Sequence, residues 1–150
     1  FAYLAAQLVG GVIGAVFAWL AYKKHYDAAV EPGEILATFA TNGAIRSPLW
    51  NAVTEIIATF ILVLVILIFG ETPHEMGPLA VALLVVSLGA SLGGPTGYAI
   101  NPARDLGPRI AHQLLPIPHK GTSNWGYAWV PIVGPLIGGA IAGFASGTFL

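Results

Sequence analysis

The chain has 150 residues, 56% of them apolar and 9% charged, with a formal net charge of −1 and a mean hydropathy of +0.78. Soluble domains carry about 25% charged residues, so six basic and seven acidic side chains are too few to coat a soluble surface. The composition excludes disorder, which needs low hydrophobicity and high charge. It also lacks the basic footprint of nucleic-acid binding and, without cysteine, any disulfide scaffold. What remains is an integral membrane protein, and the spans read below as helices make its fold class all-α. The one methionine is Met76, and the chain opens on Phe1 inside an apolar run with no basic stretch before it. That start reads as a piece of a longer protein and not as a signal peptide.

A spanning helix needs roughly 20 apolar residues, and four segments qualify or nearly so. They run from about Tyr3 to Tyr22, Trp50 to Phe69, Pro78 to Leu92 (short) and Tyr127 to Phe149. The first and last are rich in glycine at four-residue spacing: Gly10 and Gly14, Gly134 and Gly138, Gly139 and Gly143, Gly143 and Gly147. In lipid, small residues so spaced let helix backbones approach closely.

The connections differ in kind. Lys23 to Pro48 reads as a polar loop, and Gly70 to Gly77 as a short turn with Glu71, Pro73, His74 and Glu75. Gly93 to Gly126 is long and punctuated by Pro95, Pro102, Pro108, Pro116 and Pro118. Its run Gly93-Gly94-Pro95-Thr96-Gly97 reads as non-helical. Pro102 to Leu114 then reads as a helix, with Asn101 as N-cap and Pro102 at the first helical position. At about 1.5 Å per residue it crosses only around half a bilayer, and Pro108 within it predicts a kink or a frayed second half. A short span followed by a Gly/Pro-interrupted half helix points to a transport site. Irregular backbone at membrane depth is tolerated only where it is buried in protein or lines water.

The most informative block is Gly89-Ala90-Ser91 through Asn101-Pro102-Ala103-Arg104-Asp105-Leu106-Gly107-Pro108-Arg109. It resembles the second signature motif of the aquaporin family, in the aquaglyceroporin (glycerol facilitator) branch. The resemblance covers essentially the whole chain, matched to the family from its third to its sixth spanning helix. It implies an aquaporin-like right-handed helical bundle built of two inverted repeats. Residues 1–150 would be one partial channel domain, with four spanning helices and one half helix, the re-entrant loop and half helix covering about 93–114.

The physics of the block agrees. A half-helix N-terminus carries a positive dipole end, which at mid-membrane repels cations and protons. The Asn101 amide can donate to a passing hydroxyl. An arginine in a membrane costs roughly 2.5–3.5 kcal/mol, so Arg104 should face a cavity. The resemblance makes Gly89, Tyr98 and Arg104 the selectivity-filter residues of this half, and Asn101, Pro102 and Ala103 the pore motif. The carbonyls of Gly97, Tyr98 and Ala99 would be an acceptor ladder for the permeant. Glycine at 89 leaves room for a carbon backbone. Glycerol facilitators often carry Phe where this chain has Tyr98, whose hydroxyl would narrow or polarise the filter. Asp105, Arg109, Pro131 and Ile132 are similar to the glycerol branch, and Asp105 and Arg109 can pair at i,i+4.

Glu55 lies inside the second span, where a carboxylate is expensive and usually functional. It reads either as a proton-coupled site or as an acceptor for backbone N–H groups of the re-entrant loop, and the resemblance favours the second. Gln7 reads as a helix-contact hydrogen bond. Trp125, Tyr127 and Trp129 read as an interfacial aromatic belt. His112 and His119 show no metal-ligand spacing, and no cofactor is implied. Basic residues follow the first span (Lys23, Lys24, Arg46) and the third (Arg109, Lys120), which by the positive-inside rule puts those loops in the cytoplasm. The resemblance implies the reverse, with Phe1 cytoplasmic, and is preferred because the rule is dominated by the first helices of a chain.

The expected function, on the resemblance, is a passive plasma-membrane channel for glycerol, small polyols and some water, homotetrameric and not an enzyme. Within that class a water-selective or a lactic acid or peroxide channel competes. From other classes, a proton-coupled transporter using Glu55 predicts saturable, pH-dependent flux, and a non-conducting scaffold predicts tolerance at Asn101 and Arg104.

Overall fold

A computed structural model of the chain describes residues 1–71 and 76–149. Among them every regular element is a helix. Four are long and apolar enough to cross a membrane: α1 (Ala2–Ala21), α4 (Pro48–Glu71), α5 (Pro78–Thr96) and α7 (Val130–Phe149), the last entered through a 3₁₀ turn at Trp125–Tyr127. Three are short: α2 (Lys23–Ala28), α3 (Pro32–Ala37) and α6 (Pro102–Leu114). Large apolar side chains such as Leu4, Phe17, Leu83 and Phe144 stay exposed, as a hydrocarbon solvent permits.

Three expectations need correction. The third span does not stop at Leu92. The helix continues through Gly93, Gly94 and Pro95 to Thr96. Pro95 stands in the last turn, where its missing amide forgoes a single bond, to the carbonyl of Ser91. The chain leaves the helix only at Gly97, whose φ of 75° is left-handed and whose N–H closes on the Gly93 carbonyl at 2.8 Å. The connection from 23 to 48 is not simply a polar loop. Pro32 opens α3, and Tyr26, Ile35, Leu36, Phe39 and Ala40 form a buried cluster with Ala15 of α1, Ala111 of α6 and Ile117. Nor does Pro108 fray α6, which runs unbroken to Leu114. The Lys120 ammonium donates to the carbonyls of His112, Gln113 and Leu115 at 2.6–2.8 Å, capping the end of the helix. The turn expected at Pro73, His74 and Glu75 lies outside the described residues.

Two helix pairs carry the packing: α4 with α7, and α1 with α6. Each crossing turns on glycine. A Cβ at Gly138 would strike the Ile56 carbonyl and stand 3.0 Å from the Phe60 amide, and one at Gly134 would lie 2.6 Å from the Glu55 Cβ. At the other crossing a Cβ on Gly107 would stand 2.9 Å from the Leu8 carbonyl and 3.0 Å from the Val12 amide. Of the four glycine pairs read from the sequence, Gly134 and Gly138 therefore sit in a close crossing. Gly10, Gly14, Gly143 and Gly147 meet nothing within 4 Å, and the Gly11–Gly107 approach joins glycines from different segments. Spacing along one helix cannot reveal which glycines meet a neighbour.

Gly138→Ala should therefore push α4 and α7 apart, costing about 1–3 kcal/mol as an overpacked contact. Gly143→Ala should be neutral or stabilising by up to about 1 kcal/mol through helix propensity. Thermal unfolding of the two variants in detergent checks the contrast. Equal midpoints would contradict the crossing.

Candidate functional site

Between α5 and α6 the chain has only five residues, 97–101, outside helix. Fully extended they reach at most about 17 Å, roughly half of a 30 Å hydrocarbon core. Their backbone is strained: Gly97 has φ 75°, Tyr98 40° and Ile100 44°. A left-handed conformation costs an L-residue about 1–2 kcal/mol, so Tyr98 and Ile100 must be held. Glu55 of α4 holds this stretch. Its Oε1 accepts from the Thr96 hydroxyl at 2.7 Å and the Ala99 amide at 2.9 Å, and its Oε2 from the Ile100 amide at 2.8 Å. Glu55 is 1% exposed, so neither oxygen opens to a lumen as a proton carrier would require.

With two amides turned to Glu55, the carbonyls of Gly97, Tyr98 and Ala99 accept no hydrogen bond among the described residues. Gly97 and Tyr98 are half-buried, whereas Ala99 exposes 0% of its surface. Tyr98 and Ala99 both line the cavity at Arg104.

Asn101 follows in extended backbone, φ −158°. Its Oδ1 accepts from the Ala103 amide at 2.9 Å and the Arg104 amide at 3.3 Å, an N-cap with Pro102 in the first helical position. That cap fixes the orientation of the amide. The Nδ2 donors, which have no acceptor among the described residues, point away from the helix, so capping and donation are one arrangement.

Arg104 and Arg109, five residues apart on α6, differ completely. Arg109 is fully buried and every guanidinium N–H has an acceptor. Nε and Nη2 meet Asp105 at 2.8 and 3.0 Å, Nη2 also meets the Thr41 carbonyl at 2.8 Å, and Nη1 meets the carbonyls of Ser123 and Asn124 at 2.7 and 3.2 Å. Asp105 in turn accepts the Thr41 amide and hydroxyl at 2.7 and 2.6 Å. The Arg104 guanidinium has no hydrogen-bond partner among the described residues and lies 5.8 Å from the centre of the Tyr98 ring. It borders a cavity of about 250 Å³ together with Leu62, Val85, Tyr98, Ala99, Ile100 and Asn101.

Tyr98 lies on α5. A Cβ at Gly93 would stand 2.9 Å from its ring and one at Gly89 3.1 Å from its Cζ. The absence of a side chain at Gly89 thus makes room for the phenol ring itself. The two glycines, one turn apart, let the ring lie flat enough to leave the cavity open.

Other expectations shift as well. Gln7 makes no hydrogen bond among the described residues, and with Asn101 and Arg104 it borders a second cavity, of about 380 Å³. Tyr127 is 3% exposed and packs with Ala52 and Val130, while Trp125 and Trp129 remain at the surface as a belt would require. His112 is buried against Ser123, Nδ1 to Oγ 2.8 Å, and no cluster of metal ligands occurs among the described residues. Thr41, Leu62, Val85 and Thr96 were not singled out from the sequence. Only Thr96, polar and next to the motif, offered a signal.

Glu55→Gln should keep shape but turn an amide N–H₂ toward groups that are themselves donors. With a charge-assisted bond lost and a buried donor orphaned, stability should fall by about 3 kcal/mol. Thermal unfolding in detergent measures it, and an unchanged midpoint would contradict the anchoring geometry.

Comparison with known proteins identifies the family. The family model described as major intrinsic protein matches residues 1–146. The chain is 55% identical over 141 residues to the glycerol uptake facilitator protein 3 of Lactiplantibacillus plantarum, covering 93% of this chain and 59% of that protein. It is 53% identical over 143 residues to the glycerol uptake facilitator protein of Bacillus subtilis, covering 94% of this chain and 52% of that protein. The structure resembles that of the aquaglyceroporin from Plasmodium falciparum with a TM-score of 0.76 at 28% identity, covering 96% of this chain and 62% of the other. The chain thus spans between half and two thirds of the length of these relatives. With its apolar spans, its re-entrant half helix and a family match over nearly its whole length, this multi-pass membrane chain belongs to the major intrinsic protein family.

Proposed function

We propose that the full-length protein is a passive plasma-membrane channel for glycerol and similar small uncharged solutes, with some water. This chain would supply its third to sixth spanning helices, one inverted repeat plus one helix. The observation that carries the reading is the two-sided lining of the cavity at Arg104. Leu62, Val85 and the Tyr98 ring give an apolar wall, while the free Arg104 guanidinium and the uncommitted Asn101 Nδ2 give donors. Gly97, Tyr98 and Ala99 add carbonyls without donors. A polyol presents carbon on one edge and hydroxyls on the other. Each hydroxyl both donates and accepts, and such a wall replaces its hydration with donors on one side and acceptors on the other.

Arg104 and the positive end of α6 together disfavour cations and protons in the lumen. Gly89, Tyr98 and Arg104 are the filter residues on this reading, and Asn101, Pro102 and Ala103 the pore motif. Glu55 and Asp105 are the supports. The names of the similar proteins, glycerol uptake facilitators and an aquaglyceroporin, support the choice of permeant. Assembly as a homotetramer and a cytoplasmic Phe1 belong to the same proposal. The closed grip on Glu55 argues against a proton-coupled transporter. Ser123 beside the His112 ring is buried with it, at 2% and 0% exposure, so that pair reaches no substrate.

Stopped-flow light scattering on liposomes holding the full-length protein tests this. Vesicles should recover volume in a glycerol gradient much faster than empty ones. Asn101→Asp replaces a donor by an acceptor and should slow glycerol at least about tenfold, the equivalent of one hydrogen bond. Gly89→Leu should drive the Tyr98 ring into the lumen and abolish glycerol recovery. Fast shrinkage in sucrose without glycerol recovery would reassign the protein to water, and no response to either gradient would overturn the open channel.

A further inference from the structure

The side of α6 that faces away from the cavity carries a device the filter residues do not explain. Asp105 and Arg109 pair with each other, but both stand on α6. A bond within one helix cannot fix that helix against its surroundings. The external ties of the pair are five: the Thr41 amide and hydroxyl to Asp105, the Thr41 carbonyl from Arg109, and the carbonyls of Ser123 and Asn124 from Arg109. One residue, Thr41, supplies three of them. It is 5% exposed and lies in the connection that precedes α4.

The same stretch also touches the re-entrant turn. A Cβ on Gly97 would stand 3.4 Å from Thr41 Cγ2, and the Ala44 amide donates to the Pro95 carbonyl at 2.9 Å. Residues 41–44 therefore grip the end of α5, the turn and the half helix together, while Glu55 grips the turn through other atoms.

Arg104 and Asp105 are consecutive on α6, so their side chains leave the axis about 100° apart. Any rotation of α6 that moves Asp105 moves Arg104 with it, and Arg104 has no bond of its own to resist. We propose that Thr41 is a positioning residue for solute discrimination: by holding Asp105 it sets where Arg104 stands in the lumen. This rests on the channel reading above for its consequence, though not for its geometry.

The test uses the full-length protein with Thr41→Val, which keeps shape and backbone but loses the hydroxyl donor, and Thr41→Ser, which restores it. Two readouts are taken. One is amide hydrogen exchange of the peptide covering 97–106, expected to accelerate about tenfold in Thr41→Val on loss of one charge-assisted bond. The other is the ratio of glycerol to erythritol permeability in liposomes, expected to fall severalfold. Thr41→Ser should return both toward the starting protein. Unchanged exchange and ratio in Thr41→Val would overturn the proposal. So would a parallel loss of both solutes that tracks folded protein and is not restored by Thr41→Ser. If the unaltered protein conducts neither solute, the channel reading fails, and the exchange measurement alone then judges Thr41. Should Thr41→Val not accumulate, Thr41→Ala against Thr41→Ser gives the same comparison.

Discussion

The structure turns on how five residues of irregular backbone are kept inside a membrane. Hydrocarbon offers no partner for a bare amide, and each unsatisfied group costs several kcal/mol. Glu55 solves this from a neighbouring span. One carboxylate takes two amides of the turn and the Thr96 hydroxyl before it, and it does so where Tyr98 and Ile100 are left-handed. Satisfying the amides from one side decides the other side as well. Carbonyls and amides along a strand segment point in different directions, so a turn anchored by its N–H groups presents its carbonyls elsewhere. The anchor and the acceptors offered to a guest are consequences of one choice.

The second constraint is the burial of a full ion pair. Removing two charges from water is repaid only when geometry is good and every remaining donor and acceptor finds a partner. Arg109 meets that condition with all its N–H groups engaged, and Asp105 with both oxygens. The partners come from three separate stretches of chain, around 41, on α6 and at 123–124. The pair therefore does more than neutralise itself: it ties the outer connections to the half helix. Lys120 closes the carbonyl end of the same helix. The half helix is then fixed at its N-terminus by Asn101, along its flank by Asp105 and Arg109, and at its C-terminus by Lys120.

How much of this was legible in the sequence follows from the range of each interaction. The spans and α6 were legible because hydrophobic length, an N-cap and a first-turn proline are local signals. The i,i+4 pairing of Asp105 with Arg109 was legible for the same reason. The role of Thr41 was not, since its partner lies 64 positions away, and no local pattern marks a threonine that donates twice to one carboxylate. The short helices in the connection before α4 were hidden by its polarity, although the residues that matter there, Ile35, Leu36 and Phe39, are apolar and buried. The glycine crossings were only half legible, because small-residue spacing reports a capacity to pack and not the partner.

The count of basic residues by loop runs against the proposed orientation, and the structure shows how several of those residues are used. The positive-inside rule counts Lys and Arg in the short loops that flank the spans. Arg109 is wholly buried in its pair with Asp105, Lys120 is spent on helix carbonyls, and Lys23 pairs with Asp27. Three of the five basic residues counted by loop are thus engaged within the fold. The same accounting separates the two arginines of α6, which sequence alone presents as equals. A cation whose donors are all engaged holds the protein together. A cation beside an aromatic ring, at the edge of a cavity and with its donors uncommitted, is available to whatever passes. The difference between them is set by neighbours far away in the chain, and through Asp105 the engaged arginine helps to place the free one.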